Sequence, residues 1–249
     1  MGLGIDKERT ARQSRLIPRG LRVVFGAFIF MSMFWGAFAC KKDGNVNLLT
    51  SAKTLDMAGL KNLVENGADP NYQDGDGKTI LHLLGINFLG KDEADAMVHY
   101  LVQQGARIDA ADKSGNAPLF DAILGGNLDL AVSLVHHGAD VNFQNPRGQT
   151  PLFMAVSLIT AGPRQTRGLD MARFLQQAGG NIFARDNDGK NLIHYSKDPE
   201  TTAWLIEQGQ SPALRDNFGK TPLDYNRDEI LKLRDSIAAD YKAKKQGTF

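Results

Sequence analysis

Five pairs of glycines, each pair ten residues apart, constrain this sequence more than any other feature. The pairs are Gly67 and Gly77, Gly105 and Gly115, Gly138 and Gly148, Gly179 and Gly189, and Gly209 and Gly219. The second glycines follow one another at intervals of 38, 33, 41 and 30 residues. A unit of this length cannot bury its apolar face alone, so such units must stack on their neighbours. The pattern predicts an array of repeats.

Each unit has the chemistry of two helices joined by a turn. The residues between paired glycines are rich in Asp, Asn and Gly, which favour turns. At 150–151 and 221–222 a threonine precedes a proline, which is typical of an N-cap followed by the first helical residue. The segments 127–135 and 169–175 repeat apolar residues at helical spacing. We therefore predict two helices and a hairpin-like finger in every unit.

The segments around the second glycines resemble the helix-start motif of the ankyrin family. They are NYQDGDGKTILH (71–82), DKSGNAPLF (112–120), NPRGQTPLF (145–153), DNDGKNLIH (186–194) and DNFGKTPLD (216–224). The resemblance implies an all-α repeat solenoid over residues 48–241, with five to six repeats including caps. Residues 48–66 are expected to form the N-terminal cap, and a helix carrying Ile230, Leu233 and Tyr241 the C-terminal cap. Residues 242–249 would be a basic tail.

The N-terminal region has the layout of a secretory signal. Residues 23–39 are apolar and uncharged, and they follow six basic residues. At about 1.5 Å per residue, a helix of this length falls short of a bilayer core of about 30 Å. The run ends at Ala39 and Cys40, which resembles a bacterial lipoprotein signal. We expect residues 1–39 to be removed, Cys40 to be lipidated and residues 40–47 to form a linker.

Two alternatives to lipidation remain at this point. The apolar segment is either an uncleaved N-terminal membrane anchor or a signal cleaved after Ala39, which leaves a free thiol. In every case the basic residues before it hold the N-terminus in the cytoplasm. We therefore expect the rest of the chain in the cell envelope, as a lipoprotein facing the periplasm from the outer or inner membrane, or as an anchored extracytoplasmic domain.

Charge and cysteine content exclude several classes of protein. Of 29 basic and 28 acidic side chains, residues 1–39 carry six and two, which leaves 23 and 26 and a net charge of −3 on residues 40–249. A mildly acidic folded part lacks the basic surface of a nucleic-acid-binding protein. The single cysteine excludes an intramolecular disulfide and a cysteine-rich zinc site. We expect a monomer that is held together by packing alone.

The histidines offer no evident catalytic or metal site. The resemblance implies structural roles for His82, His194 and His137. His99 and His136 have no acidic or cysteine partner at ligand spacing, and His136 and His137 point to different faces of a helix. No phosphate-binding loop or nucleophile elbow is present. We expect no enzyme activity, no metal and no cofactor.

The resemblance places a partner on the concave strip formed by the fingers and the first helices, and we call this surface the finger strip. Its expected contact residues are Lys113, Asn116, Arg147, Gln149, Asn187, Lys190 and Phe218. These positions neither cap a helix nor follow the apolar period, so we expect the fold to leave them free. Phe218 is either an anchor for the partner or packs beneath the C-terminal helix. The insertion at 158–168 is either a recognition loop or tolerated variation in loop length.

These features together predict a membrane-tethered extracytoplasmic protein-binding module. The most specific form of this prediction is an immunity or inhibitor protein that occludes a secreted toxin. The alternative is a periplasmic scaffold or stress-protection factor that supports an endogenous envelope enzyme.

Overall fold

A computed structural model describes residues 44–85, 90–158 and 165–226. Its helices are α1 (44–54), α2 (Met57–Glu65), α3 (Ile80–Leu84), α4 (Lys91–Gln103), α5 (Pro118–Leu124), α6 (Leu128–His136), α7 (Pro151–Leu158), α8 (Gln165–Gln177), a 3-10 helix (Leu192–Tyr195), α9 (Pro199–Glu207) and α10 (Pro222–Tyr225). The predicted signal, Cys40, C-terminal cap helix and tail lie outside the described residues. Within the described ranges, no helix is long and apolar enough to cross a bilayer.

The helices form two layers that run the length of the array. The first helices of successive repeats stack on one another, as α3 does on α5, α5 on α7 and α7 on the 3-10 helix. The second helices stack in the same way, as α4 does on α6. Fully buried side chains run from Leu48 through Leu130 to Leu205 and form one continuous core. The predicted all-α repeat solenoid is confirmed.

The fingers occupy residues 74–79, 112–117, 145–150, 186–191 and 216–221, and we number the repeats by them. Each finger begins with Asp or Asn, whose side chain accepts hydrogen bonds from the backbone N–H groups two and four residues later. In the third finger, Asn145 Oδ1 lies 3.0 Å from Arg147 N and 3.1 Å from Gln149 N. Gly148 follows at a φ of 73°, which suits a residue without Cβ. The predicted turn chemistry is correct.

Backbone hydrogen bonds connect neighbouring fingers, with one interruption. They join Lys113 N to Asp76 O (3.0 Å), Asn187 N to Arg147 O (3.0 Å) and Asn217 N to Asp188 O (2.8 Å). Pro146 occupies the corresponding donor position of the third finger, and proline has no N–H. The second and third fingers therefore lack this bond, whereas the third, fourth and fifth are joined in series.

Two asparagines add a second set of links between repeats. Asn71 Nδ2 donates to Gly105 O at 2.8 Å, and Asn71 Oδ1 accepts from Arg107 N at 2.7 Å. Asn142, two repeats after Asn71, makes the same pair of bonds with Gly179 O and Asn181 N in the turn that follows α8. Each amide therefore satisfies two backbone groups across a repeat boundary, which fixes the spacing of adjacent repeats.

The structure corrects two local predictions. Helices begin at Pro151 and Pro222 as expected, but the Thr150 hydroxyl is buried without a hydrogen-bond partner among the described residues, so its predicted capping role is wrong. The insertion at 158–168 is not a loop throughout, because Gln165 to Gly168 already belong to α8. The second helix of the third repeat is correspondingly longer than the predicted 169–175.

Candidate functional site

The two buried histidines connect a finger to the next repeat. His82 Nδ1 accepts from Thr79 N at 3.0 Å, and its Nε2 lies 3.1 Å from Asn116 O in the second finger. His194 makes the equivalent contacts with Asn191 N at 3.1 Å and Lys220 O at 3.4 Å. Burial lowers the pKa of both imidazoles. Both rings therefore serve as neutral structural groups, and neither is available to a substrate.

A pocket of about 500 Å³ lies on the finger strip between the third and fourth repeats. Its lining residues are Pro146, Arg147, Gln149, Asp186, Asn187, Asp188 and Tyr195. Three predicted contact residues, Arg147, Gln149 and Asn187, thus come together in one concavity. The pocket is polar, and its walls are the two adjacent fingers and the 3-10 helix that follows the fourth finger.

Hydrogen bonds hold the walls of this pocket in place. Asn187 Nδ2 donates to Pro146 O at 2.9 Å, in addition to the backbone bond between these two fingers. Gln149 Nε2 donates to the Tyr195 hydroxyl at 3.0 Å, and that hydroxyl donates to Asp186 Oδ2 at 2.5 Å. Burial and the bond to Asp186 raise the pKa of Tyr195, so the phenol stays neutral. The pocket is therefore a rigid feature.

The charges at the rim differ in how well they are balanced. Asp188 accepts a hydrogen bond from Lys190 Nζ at 3.1 Å, which pairs these two charges. Arg147 is exposed, and its side chain has no hydrogen-bond or ionic partner among residues 44–85, 90–158 and 165–226. Within the described part of the chain, Arg147 therefore presents a guanidinium without a direct ionic partner, on a backbone fixed by the bond between Asn187 N and Arg147 O.

An aromatic surface adjoins the pocket at the fourth and fifth repeats. Lys190 Nζ lies 4.9 Å from the centre of the Tyr225 ring and 5.9 Å from that of Phe218. Tyr225 in turn donates to Asp216 Oδ2 at 2.7 Å. Phe218 is 67% exposed. The predicted packing of Phe218 beneath a C-terminal helix involves residues outside the described ranges.

The expectation that the fold leaves the predicted contact residues free is wrong for most of them. The bonds of Gln149, Asn187 and Lys190 to other side chains or fingers are described above. Asn116 Oδ1 likewise accepts a hydrogen bond from Asn145 Nδ2 of the third finger at 3.3 Å. Lys113 Nζ donates to Gly75 O at 2.5 Å. Polar residues at these positions also join adjacent repeats, and sequence spacing does not show this.

The other four lining residues, Pro146, Asp186, Asp188 and Tyr195, were not among the predicted contact residues. Tyr195 and Asp186 lie in its wall; Asp186 begins the fourth helix-start segment, and Tyr195 directly follows that segment in the chain. When the repeats are aligned, Tyr195 stands nine residues after the first residue of its finger, a position that contacts the preceding finger in another repeat as well. The equivalent residue of the second repeat, Asp121, also bonds to the preceding finger, where Lys78 Nζ lies 2.9 Å from both of its carboxylate oxygens.

The second helices contain a cluster of side chains able to bind a metal. Asp95 of α4 has Oδ1 at 3.0 Å from His137 Nε2 and at 3.6 Å from His136 Nδ1. The prediction that His136 lacks an acidic partner is therefore wrong. Asp95 lies about one repeat earlier in the chain, and only stacking of α4 against α6 brings it to the histidines.

Comparison with known proteins agrees with the repeat architecture. The chain is similar to serine/threonine-protein kinase 12 of Arabidopsis thaliana (38% identical over 39% of this chain and 20% of the relative). It is also similar to L-asparaginase of Dirofilaria immitis (27%, over 80% and 32%) and to palmitoyltransferase AKR1 of Lachancea kluyveri (28%, over 58% and 18%). The chain thus spans about a fifth to a third of the length of these relatives.

The family comparison covers more than half of the chain. A family model described as ankyrin repeats (3 copies) matches residues 48–145 and again residues 95–186. These matches include the first three fingers and end at Asp186, the first residue of the fourth finger. The helical pairs of the structure follow the same period. The chain therefore belongs to the ankyrin-repeat family.

Proposed function

We propose that this chain is a non-enzymatic, membrane-tethered module that binds a protein partner on the finger strip, outside the cytoplasm. The observation that carries the proposal is the pocket between the third and fourth fingers with exposed Arg147 at its rim. A guanidinium held on a rigid backbone suits recognition of a carboxylate. Protein binding is also the role that ankyrin repeats imply.

The contact surface would extend from the pocket to the neighbouring aromatic group. Arg147 would pair with an acidic side chain of the partner, and exposed Phe218 would supply apolar contact area. Lys113 and Asn116 would lie at the other end of the same strip, in the second finger. Gln149, Asn187 and Lys190 would contribute mainly by holding the surface in shape. Gln149 and Asn187 each donate a hydrogen bond to a neighbouring repeat, and Lys190 Nζ lies over the Tyr225 ring of the fifth repeat.

Two observations support a role without catalysis. The buried imidazoles of His82 and His194 are bonded to backbone groups. The three relatives named above carry three different activities in their names, so similarity to them favours none of those activities for this chain.

The tether and the location rest on the N-terminal sequence. Residues 1–39 carry the basic and apolar layout of a signal, and Cys40 follows it directly. Mass spectrometry of the membrane fraction should find a chain that begins at lipidated Cys40. A Cys40→Ser variant should remain unprocessed or leave the membrane fraction. A mature chain that retains Met1 in the wild type would instead indicate an uncleaved anchor.

A test of the binding surface compares two charge reversals. Arg147→Glu should reduce recovery of the cross-linked partner from membranes at least tenfold, because the rim charge is inverted. Arg173→Glu makes the same change on an exposed position of α8 and should leave recovery unchanged. The opposite pattern would place the partner on the second helices. Absence of any protein cross-linked to the wild-type chain would contradict the proposed function.

The immunity and scaffold versions of this function predict different outcomes once the partner is known. An immunity or inhibitor protein should abolish the activity of a toxin on binding, and its deletion should sensitise cells to that toxin. A periplasmic scaffold should preserve the activity of an endogenous envelope enzyme, which would then fall when the chain is deleted. Measurement of partner activity with and without the chain distinguishes them.

A further inference from the structure

We propose that Asp95, His136 and His137 form a surface site for a divalent transition-metal ion of the zinc class. The three side chains come from α4 and from the end of α6, and their ligand atoms all lie within 4.8 Å of one another. These helices contain no residue of the finger strip. The site is therefore independent of the proposed partner surface.

The set of donor atoms defines the class of metal. Two imidazole nitrogens and one carboxylate oxygen suit Zn²⁺, Ni²⁺ or Cu²⁺, whereas Mg²⁺ and Ca²⁺ prefer sites made of oxygen ligands. Three protein ligands leave one tetrahedral position of Zn²⁺ for water. His99 lies on α4 one turn after Asp95, with its ring centre 5.3 Å from that of His137. Its imidazole is a candidate ligand for the fourth position in place of water.

The arrangement of the three groups favours a bound cation over a purely structural contact. Asp95 Oδ1 is shared between both imidazoles, and Ser133 Oγ donates to the same oxygen at 3.4 Å. A metal bound by His137 Nε2 would take the place of the hydrogen bond to Asp95, and the ring proton of His137 would then lie on Nδ1.

Accessibility is also suitable for an ion that enters from solvent. The side chains of His136 and Asp95 are 74% and 49% exposed, whereas that of His137 is 16% exposed. His137 is thus held by the protein, and the other two ligands can adjust around an ion. A bound metal would link the second helices of the first and second repeats, so it should stabilise the array.

The test uses the full-length chain in detergent, purified without a histidine tag and carrying Cys40→Ser to remove the lone thiol. Titration with ZnCl₂ in a calorimeter should show one ion per chain. Zinc at saturation should raise Tm by about 5 °C. With CoCl₂, the visible spectrum should report nitrogen and oxygen ligands and no thiolate.

Variants identify the ligands. A His136→Ala/His137→Ala double variant should lose stoichiometric binding, and Asp95→Asn should weaken binding at least tenfold while preserving side-chain volume. Asp129→Asn, at an exposed carboxylate in the first turn of α6, is the matched control and should bind as tightly as the parent. Circular dichroism verifies that each variant is folded. Binding that is absent in the parent, or unchanged in the double variant, would overturn the proposal.

Discussion

The first and third repeats begin their first helix at the same place but stabilise it differently. In the first repeat, the third helical residue is His82, which bonds to Thr79 and to the carbonyl of Asn116. In the third repeat that residue is Phe153, which is 1% exposed and packs edge-on against Tyr195 with ring centres 5.5 Å apart. The fourth repeat has a histidine at this position, His194, as the first repeat does. The second repeat has a phenylalanine, Phe120, as the third repeat does.

This comparison shows that one backbone arrangement accepts two kinds of support. The histidine satisfies buried polar groups in two repeats, so its contribution depends on geometry and protonation. The phenylalanine fills volume, so its contribution depends on packing and is insensitive to pH. The phenylalanine offers no hydrogen bond to the preceding threonine. The Thr150 hydroxyl is therefore buried without a partner among the described residues, whereas the Thr79 hydroxyl bonds to His82.

The largest expected effect is a cavity in the apolar repeat. Phe153→Ala should destabilise the chain by about 3–5 kcal/mol, because a fully buried ring is removed from the core. Chemical denaturation monitored by circular dichroism measures the loss. Phe218→Ala, at a ring that is 67% exposed, is the control and should change stability little. Equal losses for the two variants would contradict the core described here.

A smaller loss should follow when the polar repeat is converted to the apolar type. His82→Phe leaves Thr79 N–H and the Asn116 carbonyl without their partner, at a cost of about 1–3 kcal/mol for each buried group. Denaturation of this variant beside the wild type gives the value. Wild-type stability in the variant would mean that water replaces the imidazole without cost.

The polar repeats should also make stability depend on pH. Burial lowers the pKa of His82 and His194 below the ordinary value of 6.5, so below about pH 6.5 the unfolded chain binds protons that the folded chain does not. Stability is therefore full above that pH and falls as the solution is acidified. Tm measured from pH 7.5 to 5 should fall less steeply for His82→Phe than for the wild type. Identical slopes would show that His82 does not contribute.

The smallest effects come from two matched substitutions. Thr79→Val removes a hydroxyl 2.9 Å from His82 Nδ1 and should cost about 1 kcal/mol. Thr150→Val removes a buried hydroxyl that has no partner in the described part of the chain, so stability should stay the same or rise slightly. Paired denaturation curves test the difference. A loss at Thr150 as large as at Thr79 would indicate a hydrogen bond that bridges through water.

Local features of this fold were predictable because neighbouring residues determine them. The glycines and the leading Asp or Asn of each finger specify a turn within six residues, and the five turns are found where predicted. The helix start at Pro151 is equally local. The capping role of Thr150 could not be judged in this way, because it depends on the contacts that the buried side chain three residues later makes in the folded array.

The candidate site was predictable only in outline. Arg147, Gln149 and Asn187 were chosen because they do not fit the apolar period, and they do line one pocket. Their separate roles depend on the next repeat: Gln149 bonds to Tyr195, which lies 46 residues later, and Asn187 bonds to Pro146, which lies 41 residues earlier. No spacing within one repeat contains that information.

The sequence by itself determined the repeat period, the turns, the helix starts and the mild acidity of the folded part, because each of these depends on composition or on contacts within a few residues. The tertiary structure alone decided which polar side chains remain free at the finger strip and which groups meet on the second helices. Asp95 and His137 are 42 residues apart and become neighbours only when α4 stacks on α6. Stacking brings together side chains that no local rule relates.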